Sequence, residues 1–155
     1  MRVELTRRYA LAASHRLHSR HLDEAENERI YGKCNNPYGH GHNYVVEVTV
    51  TGQVDPATGM IAHLGDLDEY VAREIIEPFD HRYLNEDVEA FREQVPTTEN
   101  FCKEIFRRLE QFPGARLVRV RLEETGRNSF EYAGQRNGAE HDGFAEEDRR
   151  AQAQR

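Results

Sequence analysis

The chain has 155 residues, 37% of them hydrophobic and 32% charged, with a formal net charge of −7. That length fits one domain with one modest core. The acidic balance argues against a general nucleic-acid binder, which needs a basic surface. An anionic small substrate stays compatible with it, because a local cluster of Arg and Lys acts inside an acidic protein. The sequence holds no apolar run of membrane-spanning length, and its first residues enter a strand-like pattern without a secretory signal. Cys34 and Cys102 are the two cysteines. They read as free thiols, and a cytoplasmic location is expected.

In chain order, Val3, Leu5, Tyr9 and Leu11 recur at even steps and predict a first strand running into Ala12–His15. Leu17 to Tyr31 is polar and reads as a loop with one helical turn within Asp23–Ile30. The stretch Gly32 to Gly39 is dense in turn formers. Tyr44, Val46, Val48 and Val50 then alternate with polar residues in the clearest strand of the sequence. Asp55–Gly59 makes a turn, and Met60–Ala62 reads as a short returning segment. Asp66 is the expected cap of a helix carrying Leu67, Val71 and Ile75, which Pro78 ends. Thr97 or Thr98 caps a second helix with Phe101, Ile105, Leu109 and Phe112 on its apolar face, stopped by Pro113-Gly114. Val118, Val120 and Leu122 mark the inward face of a third strand, and Phe130 and Tyr132 belong to a fourth.

The expected fold is therefore α+β: a four-stranded antiparallel sheet with two helices on one face. Its open edges call for pairing between subunits. The domain is expected over residues 1–134. Residues 135–155 are polar and nearly free of large apolar groups, and read as a disordered tail.

The sharpest local signal is His40-Gly41-His42 at the mouth of a strand. Side chains at i and i+2 share a face, so two imidazoles there can reach one ion. A third ligand must come from elsewhere. His15, at the end of the first strand, is one source, and on spacing alone His18, His21, His63 and His141 are others. Three His with an open fourth position describe a catalytic zinc site. Cys34 lies five residues ahead of His40, and Asp80-His81 follows the first predicted helix. A carboxylate orienting an imidazole that activates a thiol is the logic of a Cys-His-Asp relay. The bland readings are a buried thiol and a helix-end cap. Glu124 continues the register of Val120 and Leu122, and an inward acid needs a partner, such as a guanidine-like edge with two parallel N–H donors. Thr97-Thr98-Glu99 reads locally as a cap with an acid suited to the helix dipole.

Taken together, these residues resemble the 6-pyruvoyl-tetrahydropterin synthase family of the tunnelling-fold superfamily. The matching stretches are Ala13–Ser19, Gly32–Tyr44, Asp55–Met60, Asp80-His81, Thr97–Asn100, and Glu124-Thr125 with Asn128, in family order from about Arg2 to Gly134. The resemblance implies a lyase that binds Zn2+ through His15, His40 and His42. It implies a proton-transfer triad of Cys34, Asp80 and His81. Glu124 would hold the pterin's guanidine-like edge, with Thr97, Thr98 and Glu99 lining that pocket. The implied reaction converts 7,8-dihydroneopterin triphosphate to 6-pyruvoyl-tetrahydropterin with loss of triphosphate. The implied assembly is a homohexamer of two stacked trimeric barrels with active sites between subunits. Leu11-Ala12, His63, Tyr83 and Pro96 depart from the family pattern. A sister enzyme, 6-carboxy-tetrahydropterin synthase of queuosine biosynthesis, shares substrate, metal and triad type, but its cysteine sits closer to the His-Gly-His pair. A folate-branch relative carries Glu where Cys34 stands. A non-catalytic pterin- or metal-binding module is the reading from another class, and a plain structural oligomer leaves Glu124 and the His pair unexplained.

Overall fold

Strand β1 (Arg2–His15) and strand β2 (His40–Gln53) pair antiparallel along their whole length, from Arg2 opposite Gln53 to His15 opposite His40. The structure, a computed structural model, describes residues 2–134; the predicted tail lies outside them. Between the two strands, helix α1 (Glu24–Tyr31) leads into a 3-10 turn, Gly32–Asn35. Helix α2 (Leu64–Val71) continues through a π turn, Ala72–Ile76, into α3 (Glu77–Phe79). Next come the two-residue β3 (Arg82–Tyr83), α4 (Leu84–Asp87) and a 3-10 turn, Glu89–Phe91. Helix α5 (Thr98–Leu109), β4 (Arg116–Thr125) and β5 (Asn128–Tyr132) complete the order.

The sheet runs β3-β1-β2-β4-β5. It is five-stranded and mixed, not four-stranded and antiparallel, because β3 pairs parallel with β1 at Ala13 and Ser14. A two-residue strand has no alternation to betray it in sequence. Met60–Ala62 forms no strand. The inward side chains of β1, β2 and β4 meet the apolar faces of α2, α3 and α5, and Leu11, Tyr44, Val46, Val48, Val120, Leu122, Val71, Ile75, Phe79, Phe101 and Ile105 are all buried. Phe101 lies at the centre, with edge-on contacts to Tyr44, Phe79 and Phe91. The apolar spacing of both principal helices is thus satisfied by one sheet face.

Several boundaries differ from the sequence expectation for identifiable reasons. α1 spans eight residues rather than one turn, because Asp23 and Glu26 form a capping box and the fully buried Asn27 binds Ser19 and the carbonyls of Leu22 and Asp23. Polar bonds, invisible to hydrophobic periodicity, hold that helix. His63, not Asp66, caps α2: the Asp66 N–H donates to His63 Nδ1 at 3.3 Å. Pro78 does not end the helix. The π turn just before it re-phases the backbone, so the proline falls in the first turn of α3, where its missing N–H costs nothing. In β4, Leu117 rather than Val118 is buried, because a bulge opposite Thr49 and Val50 leaves Val118 as the extra residue. Truncating Phe101→Ala is expected to lower stability by about 3–5 kcal/mol, read by urea denaturation at fixed protein concentration.

Candidate metal centre and flanking pocket

The β1–β2 register places His15 directly across from His40, and Ala13 across from His42. Gly39 supplies the turn that feeds His40 into β2. Its φ is 70°, and a Cβ there would lie 2.8 Å from the His15 carbonyl oxygen and 2.9 Å from the Tyr83 ring. Only glycine fits that approach. The three imidazoles converge, with ring centroids 4.7 Å (His15–His40), 5.2 Å (His15–His42) and 4.9 Å (His40–His42) apart. Among the described residues, His15 is the histidine brought to the His40–His42 pair; His18 instead binds Asn35, His63 caps α2, and His141 lies outside the described residues.

The nitrogen chemistry suits a cation. His15 is 1% exposed, and its Nδ1 lies 2.8 Å from the Pro96 carbonyl. A carbonyl accepts only, so Nδ1 carries the proton and Nε2 presents its lone pair. That Nε2 faces His40 Nε2 at 3.2 Å. Two nitrogens of a tetrahedral zinc site stand about 3.3 Å apart, given Zn–N bonds of about 2.0–2.1 Å. His42 Nε2 and His40 Nδ1 are buried with no hydrogen-bond partner among the described residues. Burial, reinforced by the neighbouring imidazoles, pushes His15 down to about 4 and lowers His40 as well, so both rings are neutral at neutral pH. The cluster can hold a metal ion.

Glu124 borders this cluster. It faces inward, as the strand register required, with its side chain 15% exposed and Oε1 lying 3.6 Å from His42 Nε2. Thr98 donates its hydroxyl proton to the same oxygen at 2.5 Å. Thr97 acts as the N-cap, its Oγ1 accepting from the Asn100 N–H at 3.3 Å. Glu99 is exposed in the first turn of α5 and makes no hydrogen bond to Glu124. Thr98 is therefore the member of that trio that touches the inward acid. The Cys34 thiol feels the Glu124 charge. Burial first and that charge second push its pKa up.

Asp80 and His81 lie elsewhere. Asp80 Oδ1 accepts from the Ala12 N–H at 2.9 Å, His81 N–H donates to the Ala12 carbonyl at 2.6 Å, and Asp80 Oδ2 lies 2.9 Å from His81 Nδ1. The Ala12 N–H is the main reason that Asp80 sits below the usual carboxylate range. His81 has φ 57°, rare for a non-glycine residue, and its side chain is 82% exposed. It borders a hollow lined also by Ala12, Ser14, Gly41, Asn43 and, from the histidine cluster, His42. One chain thus pairs Asp80 with His81, while no hydrogen bond among the described residues joins them to Cys34. Sequence reading missed the Pro96 carbonyl, which no side-chain motif can signal.

The family model for 6-pyruvoyl tetrahydropterin synthase matches residues 4–135. The human 6-pyruvoyl tetrahydrobiopterin synthase is 46% identical over 134 residues, covering 86% of this chain and 92% of that protein. The solved structure of the Caenorhabditis elegans 6-pyruvoyl tetrahydropterin synthase superposes with a TM-score of 0.83 at 41% identity, covering 87% of this chain and 97% of that one. An Archaeoglobus fulgidus protein named for 6-carboxy-5,6,7,8-tetrahydropterin synthase is 41% identical over 85 residues, covering 55% of this chain and 67% of that protein. With its fold and almost its whole described length matched, the chain belongs to the 6-pyruvoyl tetrahydropterin synthase family.

Proposed function

We propose that this protein converts 7,8-dihydroneopterin triphosphate to 6-pyruvoyl-tetrahydropterin with elimination of triphosphate. The observation that carries this reading is the convergence of His15, His40 and His42 beside Glu124, in a chain 46% identical to the human synthase. Cys34, Asp80, His81 and Glu124 have the residue types that the reaction needs.

His15, His40 and His42 are the residues that would hold zinc. Zinc suits three neutral imidazoles with an open position, and when bound it supplies Lewis acidity toward side-chain oxygens and a positive charge that favours the Cys34 thiolate. Glu124 binds the donor edge of the pterin, with Thr98 fixing its oxygen and Thr97 and Glu99 framing the start of α5. Cys34 removes a carbon-bound proton from the substrate side chain. His81, oriented by Asp80 through Nδ1, carries protons between positions. Triphosphate is the leaving group. The electrons released by oxidising the side chain reduce the ring C=N by tautomerisation, so no external reductant enters.

The relay is completed between subunits. No hydrogen bond among the described residues joins Cys34 to the Asp80–His81 pair, and the histidine of one copy serves the thiol of another. The sheet supplies the means: among the described residues no further strand pairs with the outer edges of the two-residue β3 and the five-residue β5. A cytoplasmic homohexamer of stacked trimers goes with this reading.

Incubation with 7,8-dihydroneopterin triphosphate is expected to give the pyruvoyl pterin and free triphosphate by mass spectrometry. A carboxy pterin with acetaldehyde would instead assign the sister activity, and no turnover would leave a binding module. Cys34→Ala is expected to retain the metal by elemental analysis while kcat falls about 10²–10⁴-fold, the usual worth of a proton-transfer group. Mixed oligomers of Cys34→Ala and His81→Ala subunits are expected to recover part of the activity that each homogeneous variant lacks. Mixtures as inactive as their parents would refute the cross-subunit relay.

A further inference from the structure

Tyr44 lies on β2 two residues beyond His42, on the same inward face. By sequence alone it is a core residue. Its ring is 1% exposed and packs edge-on against Phe101 and His42, with centroids 5.4 and 5.5 Å away. Its hydroxyl is sealed from solvent and makes no hydrogen bond among the described residues. A buried orphan hydroxyl is costly, and phenylalanine would fill the same space without that cost. The oxygen therefore calls for a use beyond packing.

Thr98, at the start of α5, offers one. Its single proton is committed to Glu124 Oε1 at 2.5 Å, which leaves its lone pairs open. Tyr44 has a proton and no acceptor, and the β2–β4 register, with Val45 opposite Glu123 and Val46 opposite Leu122, sets it across from Glu124, the carboxylate that Thr98 already binds. We infer that Tyr44 is a positioning residue for substrate recognition: its hydroxyl donates to Thr98 Oγ1 when Glu124 engages a ligand, and the chain Tyr44–Thr98–Glu124 fixes the carboxylate. Every hydrogen in this chain runs toward Glu124. The carboxylate is thereby held as an acceptor, and a ligand must present paired N–H donors; a carbonyl at that edge meets acceptor with acceptor. The inference rests on the pterin reading above, with Glu124 as the anchor of the substrate's donor edge.

The test uses the assembled enzyme with its metal content measured in every variant. Tyr44→Phe and Thr98→Val are each expected to raise KM for 7,8-dihydroneopterin triphosphate about tenfold with kcat within about twofold, the pattern of lost ground-state binding. The double variant is expected to be no worse than the weaker-binding single one, because both remove one chain. Thr98→Ser is expected to keep the original KM. An unchanged KM in Tyr44→Phe, or single effects that multiply in the double variant, overturns the inference. Should Tyr44→Phe fail to assemble, the unmutated enzyme decides. The infrared C–O stretch of isotope-labelled tyrosine is expected to shift when 7,8-dihydroneopterin binds, and that shift should be missing in Thr98→Val. A shift that persists in Thr98→Val, or none in the unmutated enzyme, overturns it. Absence of turnover in the unmutated enzyme strikes the pterin reading instead, whereas normal turnover with an indifferent Tyr44→Phe strikes only this inference.

Discussion

The hydrogen bond between His15 Nδ1 and the Pro96 carbonyl is the contact on which the centre depends. It ties the end of β1 to the segment that enters α5. It also decides which nitrogen of His15 keeps its proton, and so which one faces His40 and His42. The carbonyl belongs to the residue just before Thr97-Thr98, so the bond that orients a histidine also fixes where the Thr98 hydroxyl meets Glu124. Cluster and pocket are two ends of one short stretch of backbone. The acceptor is main chain, so most side-chain changes at position 96 leave it in place.

Opposite that stretch, Ala12 performs the matching service with its own backbone, engaging Asp80 through its N–H and His81 through its carbonyl. Those bonds hold His81 in a left-handed conformation that an isolated chain would avoid. β1 thus orients two histidines within four residues: the in-plane backbone groups of Ala12 hold the exposed His81 at the sheet edge, and the side chain of His15 points into the core. A strand suits this task because alternate residues point to opposite sides and its hydrogen bonds fix their spacing.

Much of this was legible in the sequence, and the remainder was hidden for physical reasons. Alternation in Tyr44–Val50 and the four-residue spacing in α2 and α5 reported burial directly, because a single sheet face absorbs them. His40-Gly41-His42 announced two converging rings. The choice of His15 over His18, His21 and His63 followed only from the β1–β2 register, which is a long-range property. α1 escaped because Asn27 and Asp23 anchor it through hydrogen bonds, leaving no apolar stripe to read. The orphan hydroxyl of Tyr44 was invisible because tyrosine and phenylalanine look alike in a hydrophobic pattern. β3 and the π turn before Pro78 are too short to carry a period of their own.

The bulge at Val118 has a consequence for which of two neighbouring glutamates serves the pocket. Ahead of it Leu117 points inward; after it Val120, Leu122 and Glu124 do. If the same residues alternated strictly from an inward Leu117, with no bulge to absorb Val118, Glu123 would turn toward the histidines and Glu124 to the outer surface. Chain length within β4 is thus as decisive as residue identity: deleting Val118 would only straighten the ladder, whereas deleting Arg121 would swap the anchor for its neighbour while every side chain named in the pocket remained in the gene product.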